Sequence, residues 1–175
     1  MNLKVKGLYK IGFIGESGTG VKTSLINRLR GIPFGEGLTS SSSSSFYNIK
    51  IKIGKKKVII FQLCEPSCLE EYKKHAKFFL SGIDCAVIGY DINNRKSYEE
   101  AINYWYPLIK NEFGTCNLIF LMGYKIDLYK KDESIIEEAM DFAKSEKIKF
   151  YTISCKTEQG IGEFFDYLVY NLVNK

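Results

Sequence analysis

The stretch with the most chemical potential is Gly15-Glu16-Ser17-Gly18-Thr19-Gly20-Val21-Lys22-Thr23, with Ser24 continuing it. A short apolar run from Tyr9 to Ile14 precedes it, and Lys22 to Leu29 follows with helical character. Glycines let the backbone wrap close to an anion, so that its N–H groups converge on it. A lysine at the end of such a loop reaches the outer phosphates, and the next hydroxyl, Thr23, can bind Mg2+. The start of the new helix adds its positive end. The segment therefore reads as a phosphate cradle. Val21 separates Gly20 from Lys22 and puts a branched side chain where backbone should approach phosphate, so weaker or altered binding is expected. The alternative is a glycine-rich turn without a ligand, which the strand–turn–helix setting and Lys22-Thr23 disfavour.

Two further loops could read a base. Lys125-Ile126-Asp127 follows one buried strand, and Ser154-Cys155-Lys156 follows another. The Asp127 carboxylate can accept from the two donors on a guanine edge. Adenine lacks that pair, so a mismatch would leave a carboxylate unpaired, which gives large discrimination. The Lys125 stem can cover one face of the base, and the Cys155 backbone N–H can donate to the guanine oxygen. Lys-x-Asp alone is common in exposed turns; its pairing with Ser-Cys-Lys makes it more specific.

The elements that must hold these loops alternate between strand and helix. Strands are expected at Tyr9 to Ile14, Phe46 to Ile53, Lys57 to Leu63, Cys85 to Tyr90, Asn117 to Met122 and Phe150 to Ile153. Gly54-Lys55 makes the second and third a hairpin. Helices are expected at Lys22 to Leu29, Leu69 to Leu80, Ser97 to Ile109 and Ser134 to Lys144, the last two opened by capping boxes, Ser97 with Glu100 and Ser134 with Glu137. A final helix presents Ile161, Phe164, Phe165, Leu168, Val169, Leu172 and Val173 on one face. This order predicts an α/β fold: a mostly parallel six-stranded sheet flanked by helices on both faces, with one antiparallel edge. Ligands of such sheets bind beyond the C-terminal strand ends.

The 175 residues, 45% of them hydrophobic and 14% aromatic, fit one domain over 1–175 with a real core. A net charge of +5 is mild and scattered, and Lys55-Lys56-Lys57 reads as a solvated turn, so nucleic-acid binding is not expected. The five cysteines have no zinc or disulfide spacing and read as reduced thiols; a redox role for Cys64 and Cys68 is the lesser reading. No segment is long and apolar enough to cross a membrane. There is no secretory leader or prenylation signal, and a cytoplasmic monomer, peripheral at membranes only through a partner or a missing tail, is expected.

With these motifs in place, the chain resembles Ras-superfamily small GTPases, most closely the Rab branch. Phosphate loop, switch regions and base loops come in the family order. The stretch from Phe78 through Val87-Ile88-Gly89-Tyr90-Asp91-Ile92-Asn93-Asn94 to Ser97, and Ser154-Cys155-Lys156-Thr157, are very Rab-like. The resemblance implies GTP or GDP as ligand, Mg2+ as cofactor, and effector and regulatory proteins that read the switch loops. Counting from Lys22, it puts Ser41 at the metal-binding switch threonine, inside the serine run 40–45. It puts Phe34 either stacked on guanine or packed on the core.

The chain also departs from the pattern. The second switch of the family begins Asp-Thr-Ala-Gly-Gln. Aligned on Phe61, this puts Gln62 at the metal-side aspartate, Glu65 at the phosphate-contacting glycine and Pro66 at the water-orienting glutamine. No catalytic residue is then expected, with Glu65 a weak substitute base, and hydrolysis should be slow or absent. Tyr124 replaces the asparagine that ties the base loop to the phosphate loop, which should loosen guanine binding. Two further readings stay open: a pseudo-GTPase that binds partners without nucleotide, and a competent GTPase whose second switch lies in another register. A P-loop kinase is disfavoured by the lack of an arginine-rich lid.

Overall fold

A computed structural model describes residues 4–15, 21–35, 44–67, 70–114, 116–129 and 135–174. Six strands form one sheet: β1 (Lys4–Gly15), β2 (Ser45–Ile53), β3 (Lys57–Glu65), β4 (Cys85–Asp91), β5 (Leu118–Tyr124) and β6 (Lys149–Ile153). Their spatial order is β2-β3-β1-β4-β5-β6. Only β2 runs antiparallel to its neighbour; β1 pairs in parallel with β3 and β4, and β5 in parallel with β4 and β6. This is the expected α/β architecture.

The central strands β4 and β5 are almost wholly buried, as apolar runs covered on both faces must be. One face packs under α1 (Val21–Leu29) and α6 (Ile161–Val173). Leu25 and Ile26 of α1 and Phe164, Leu168 and Leu172 of α6 meet Ile11, Phe13, Phe61, Leu63 and Phe120 there. The fourfold spacing in α6 sets these side chains in one stripe, each contributing ~1.5–3 kcal/mol through burial. The other face carries α2 (Ala76–Leu80), α3 (Arg95–Glu100), α4 (Tyr106–Glu112) and α5 (Ile135–Ser145), with Trp105 fully buried among them.

Several local expectations change. β1 begins at Lys4, five residues before the apolar run, because backbone pairing with β3 extends past the buried segment. The helix expected from Ser97 starts at Arg95. Its cap is Asn94, whose side chain accepts from the Ser97 N–H, while the Ser97 hydroxyl bonds back to Asp91 and Asn94. A π-helical turn, Ala101–Trp105, joins α3 to α4 and lets the Trp105 indole donate to Glu100 at 2.9 Å. Glu70–His75 is 3-10 rather than α-helical before α2. Ser134, the expected cap of α5, lies outside the described residues.

Candidate functional site

The C-terminal ends of β1, β3, β4, β5 and β6 gather the residues singled out by their chemistry. Gly15 ends β1 at a φ of 143°. A Cβ there would lie 2.2 Å from the Gly89 carbonyl oxygen of β4, so both conformation and space demand glycine. Residues 16–20 and Ser41 lie outside the described residues. The chain is described again from Val21, where α1 begins, so Lys22, Thr23 and Ser24 occupy its first turn.

Lys22 is 6% exposed, and its ammonium donates to the Gly15 carbonyl at 3.2 Å. The Thr23 hydroxyl donates to Glu65 Oε1 at 2.5 Å. Glu65 is 2% exposed, and its other oxygen, Oε2, is buried without a hydrogen-bond partner. Burial pushes the Glu65 carboxyl above its ordinary value, with the Thr23 hydrogen bond and the nearby Lys22 charge pulling the other way. A hydroxyl beside a carboxylate with an unused oxygen offers the oxygen donors that a hard divalent cation takes.

This contact corrects the second-switch register. β3 runs on to Glu65, which pairs with Ser45 of β2. Side chains alternate along a strand, so Phe61, Leu63 and Glu65 share the face under α1, whereas Gln62 points to the other. Gln62 pairs with Lys10 and Asn48 in mid-strand and cannot be the residue that meets Thr23. Glu65 is that residue, neither a stand-in for glycine nor a free base. Pro66 follows it directly at the strand end, so it does not stand at the water-orienting position either.

At the base end, β5 and β6 pair Tyr124 with Ile153, so Lys125 and Ser154 leave the sheet side by side. Lys125 takes a left-handed φ of 68° and turns the chain into a 3-10 segment, Ile126–Leu128, on which Asp127 is exposed. The Lys125 ammonium pairs with Asp91 Oδ2 at 2.6 Å, because Asp91 is the strand neighbour of Tyr124. Ser154 and Cys155 are buried and Lys156 is exposed. Burial pushes the Cys155 thiol up to about 12, so it stays neutral and the residue offers its backbone. Phe34 is partly buried against the core cluster that holds Leu25 and Ile26.

Two features escaped the sequence reading. Tyr124 turns into the core beneath α1, 1% exposed, with its hydroxyl lacking a hydrogen-bond partner. Its ring fills the space a side chain on Gly89 would need: a Cβ there would lie 2.1 Å from Tyr124 Cε2. Arg28, near the end of α1, reaches the second base loop. Its Nε donates to the Cys155 carbonyl at 2.7 Å, and its two terminal nitrogens meet the Lys156 carbonyl at 3.2 Å and Glu158 at 2.7 Å.

Known proteins agree with this geometry. The sequence pattern of the Ras family matches residues 10–174. The chain is 29% identical to Ras-related protein RabC of Dictyostelium discoideum, over 94% of this chain and 84% of RabC. It is 28% identical to GTP-binding protein YPT52 of Saccharomyces cerevisiae, over 90% and 78% of the two chains. It is 29% identical to human Ras-related protein Rab-21, over 90% and 68%. With a mostly parallel six-stranded sheet as expected and a family match over nearly its whole length, this chain belongs to the Ras family of small GTPases and is similar to its Rab members.

Proposed function

We propose that the chain is a guanine-nucleotide switch that holds GTP or GDP with Mg2+, hydrolyses GTP slowly, and acts in membrane traffic or signalling through partners that read its switch loops. The observation that carries the reading is the Thr23–Glu65 contact at the foot of α1, beside the Lys22 ammonium. Thr23 and Glu65, joined by Ser41 from the first switch, would hold the cation, whose charge when bound offsets that of the phosphates. Lys22 would leave the Gly15 carbonyl for a phosphate oxygen. The loop from Gly15 to Gly20 supplies backbone N–H groups, Lys125 covers the base, Asp127 accepts from its edge, and Cys155 donates to its oxygen. Phe34 serves the core, its packing there favouring that role over stacking.

Slow hydrolysis survives the corrected register. With Glu65 at the aspartate, Asp-Thr-Ala-Gly-Gln falls on Glu65-Pro66-Ser67-Cys68-Leu69. By this count Leu69 takes the sequence position of the water-orienting glutamine, and a leucine side chain can neither donate nor accept a hydrogen bond. Single-turnover assays with purified, GTP-loaded protein test this: a rate matching an ordinary small GTPase would overturn it.

Two observations favour the pseudo-GTPase reading. Lys125 is already ion-paired within the protein, and the Tyr124 hydroxyl is buried without a hydrogen-bond partner. Melting with and without GTP and Mg2+ separates the two, since a ligand that binds the folded state must raise the transition. An unchanged melting temperature, with no nucleotide extracted from the purified protein, would select the pseudo-GTPase.

A further inference from the structure

We propose that Arg28 is a positioning residue for base recognition, replacing from α1 the tie that was lost with the asparagine at position 124. The inference deepens the nucleotide-binding reading and rests on it. The task of the tie is to keep the base loop in register with the phosphate loop. Tyr124 cannot do this: its hydroxyl is buried without a partner, and its ring is committed to the space over Gly89. Arg28 is suited to it by position and chemistry. It lies on the helix whose first turn carries Lys22 and Thr23, so its backbone is rigidly linked to the phosphate end. Its guanidinium is a planar fork that holds several acceptors at fixed angles.

The acceptors it holds are those that fix the base loop. The carbonyls of Cys155 and Lys156 belong to the two peptide groups that directly follow the Cys155 N–H. Glu158, in a left-handed conformation at φ 67°, closes the loop with its ion pair. The rest of the loop is pinned locally, the Ser154 N–H by the Gln159 carbonyl at 3.0 Å and the Thr157 N–H by the Ser154 hydroxyl at 3.1 Å. Arg28 joins this turn to α1 by three polar contacts, to the Cys155 and Lys156 carbonyls and to Glu158. With two carbonyls held, the Cys155 N–H is aimed before any base arrives, which lowers the ordering cost of binding.

The test is competition binding of GDP and ADP to the full chain and to Arg28→Ala, Arg28→Lys and Glu158→Gln. For Arg28→Ala, GDP affinity should fall about tenfold while ADP affinity moves less than about twofold, since only the guanine oxygen uses the aimed donor. Arg28→Lys should recover part of the loss, because one ammonium can keep one carbonyl. Glu158→Gln should show the same selective loss on a smaller scale, and reports even if Arg28→Ala folds poorly. Melting of the nucleotide-free variants, if unchanged, excludes a merely structural effect. Equal losses for GDP and ADP, or no loss of GDP affinity, overturn the role of Arg28. Absence of GDP binding by the unaltered chain overturns the underlying reading and this inference with it.

Discussion

The two ends of the site are built on opposite principles. At the phosphate end, charged groups are buried: Lys22 and Glu65 are nearly inaccessible, the first donating to the Gly15 carbonyl and the second accepting from the Thr23 hydroxyl. At the base end, Asp127 and Lys156 are exposed, and order comes from hydrogen bonds to main chain, with Arg28 as the outside clamp. A buried charge has a strong effect on any anion beside it and costs stability while it waits. An exposed group costs little and discriminates only if its frame is rigid. The phosphate end should therefore set how tightly any nucleotide binds, and the base end which one.

The largest effect should follow loss of the buried ammonium. Lys22→Ala is expected to weaken GDP and ADP alike by roughly a hundredfold, read by calorimetry. A loss confined to GDP would break the division of labour. Asp127→Ala should do the reverse, lowering GDP affinity about tenfold while sparing ADP in the same titrations.

The packing between the two ends can be probed without a ligand. Gly89→Ala forces a methyl group against the Tyr124 ring and should cost ~1–3 kcal/mol in denaturant unfolding. A neutral result would mean that the ring moves freely.

The smallest effect tests the cost of the waiting carboxylate. The Glu65 carboxyl holds its proton above the ordinary value of 4.5, so the folded protein binds a proton that the unfolded chain has released. Stability without nucleotide or metal should therefore fall as pH rises from about 4.5, until Glu65 ionises in the folded state. Glu65→Gln should flatten that decline and remove any melting increment given by Mg2+ with GDP. A variant that keeps the full slope would place the titration elsewhere.

Much of this was legible from residue order. Strand–helix alternation gave the sheet, and the two base loops leave β5 and β6 at the expected strand ends, as Gly15 closes β1. The misses have physical causes. Cys64-Glu65 lies past the strand expected from Lys57 to Leu63, because a charged residue followed by proline does not read as strand, yet the alternation that buries Phe61 and Leu63 carries Glu65 to the same face. Asn94 was passed over as a cap because Ser97 has the better local signature. Arg28 had no signal, since its partners lie 127 and 128 positions away and are main-chain atoms. The fit of Tyr124 over Gly89 joins residues on neighbouring strands, and one sequence does not show that the two belong together.

That fit also fixes the order in which the two positions can be changed. An aromatic ring at position 124 is admissible only over a bare backbone at position 89. A side chain can therefore enter at 89 only after, or together with, a smaller residue at 124, and of the two single steps only the one at 124 avoids a collision.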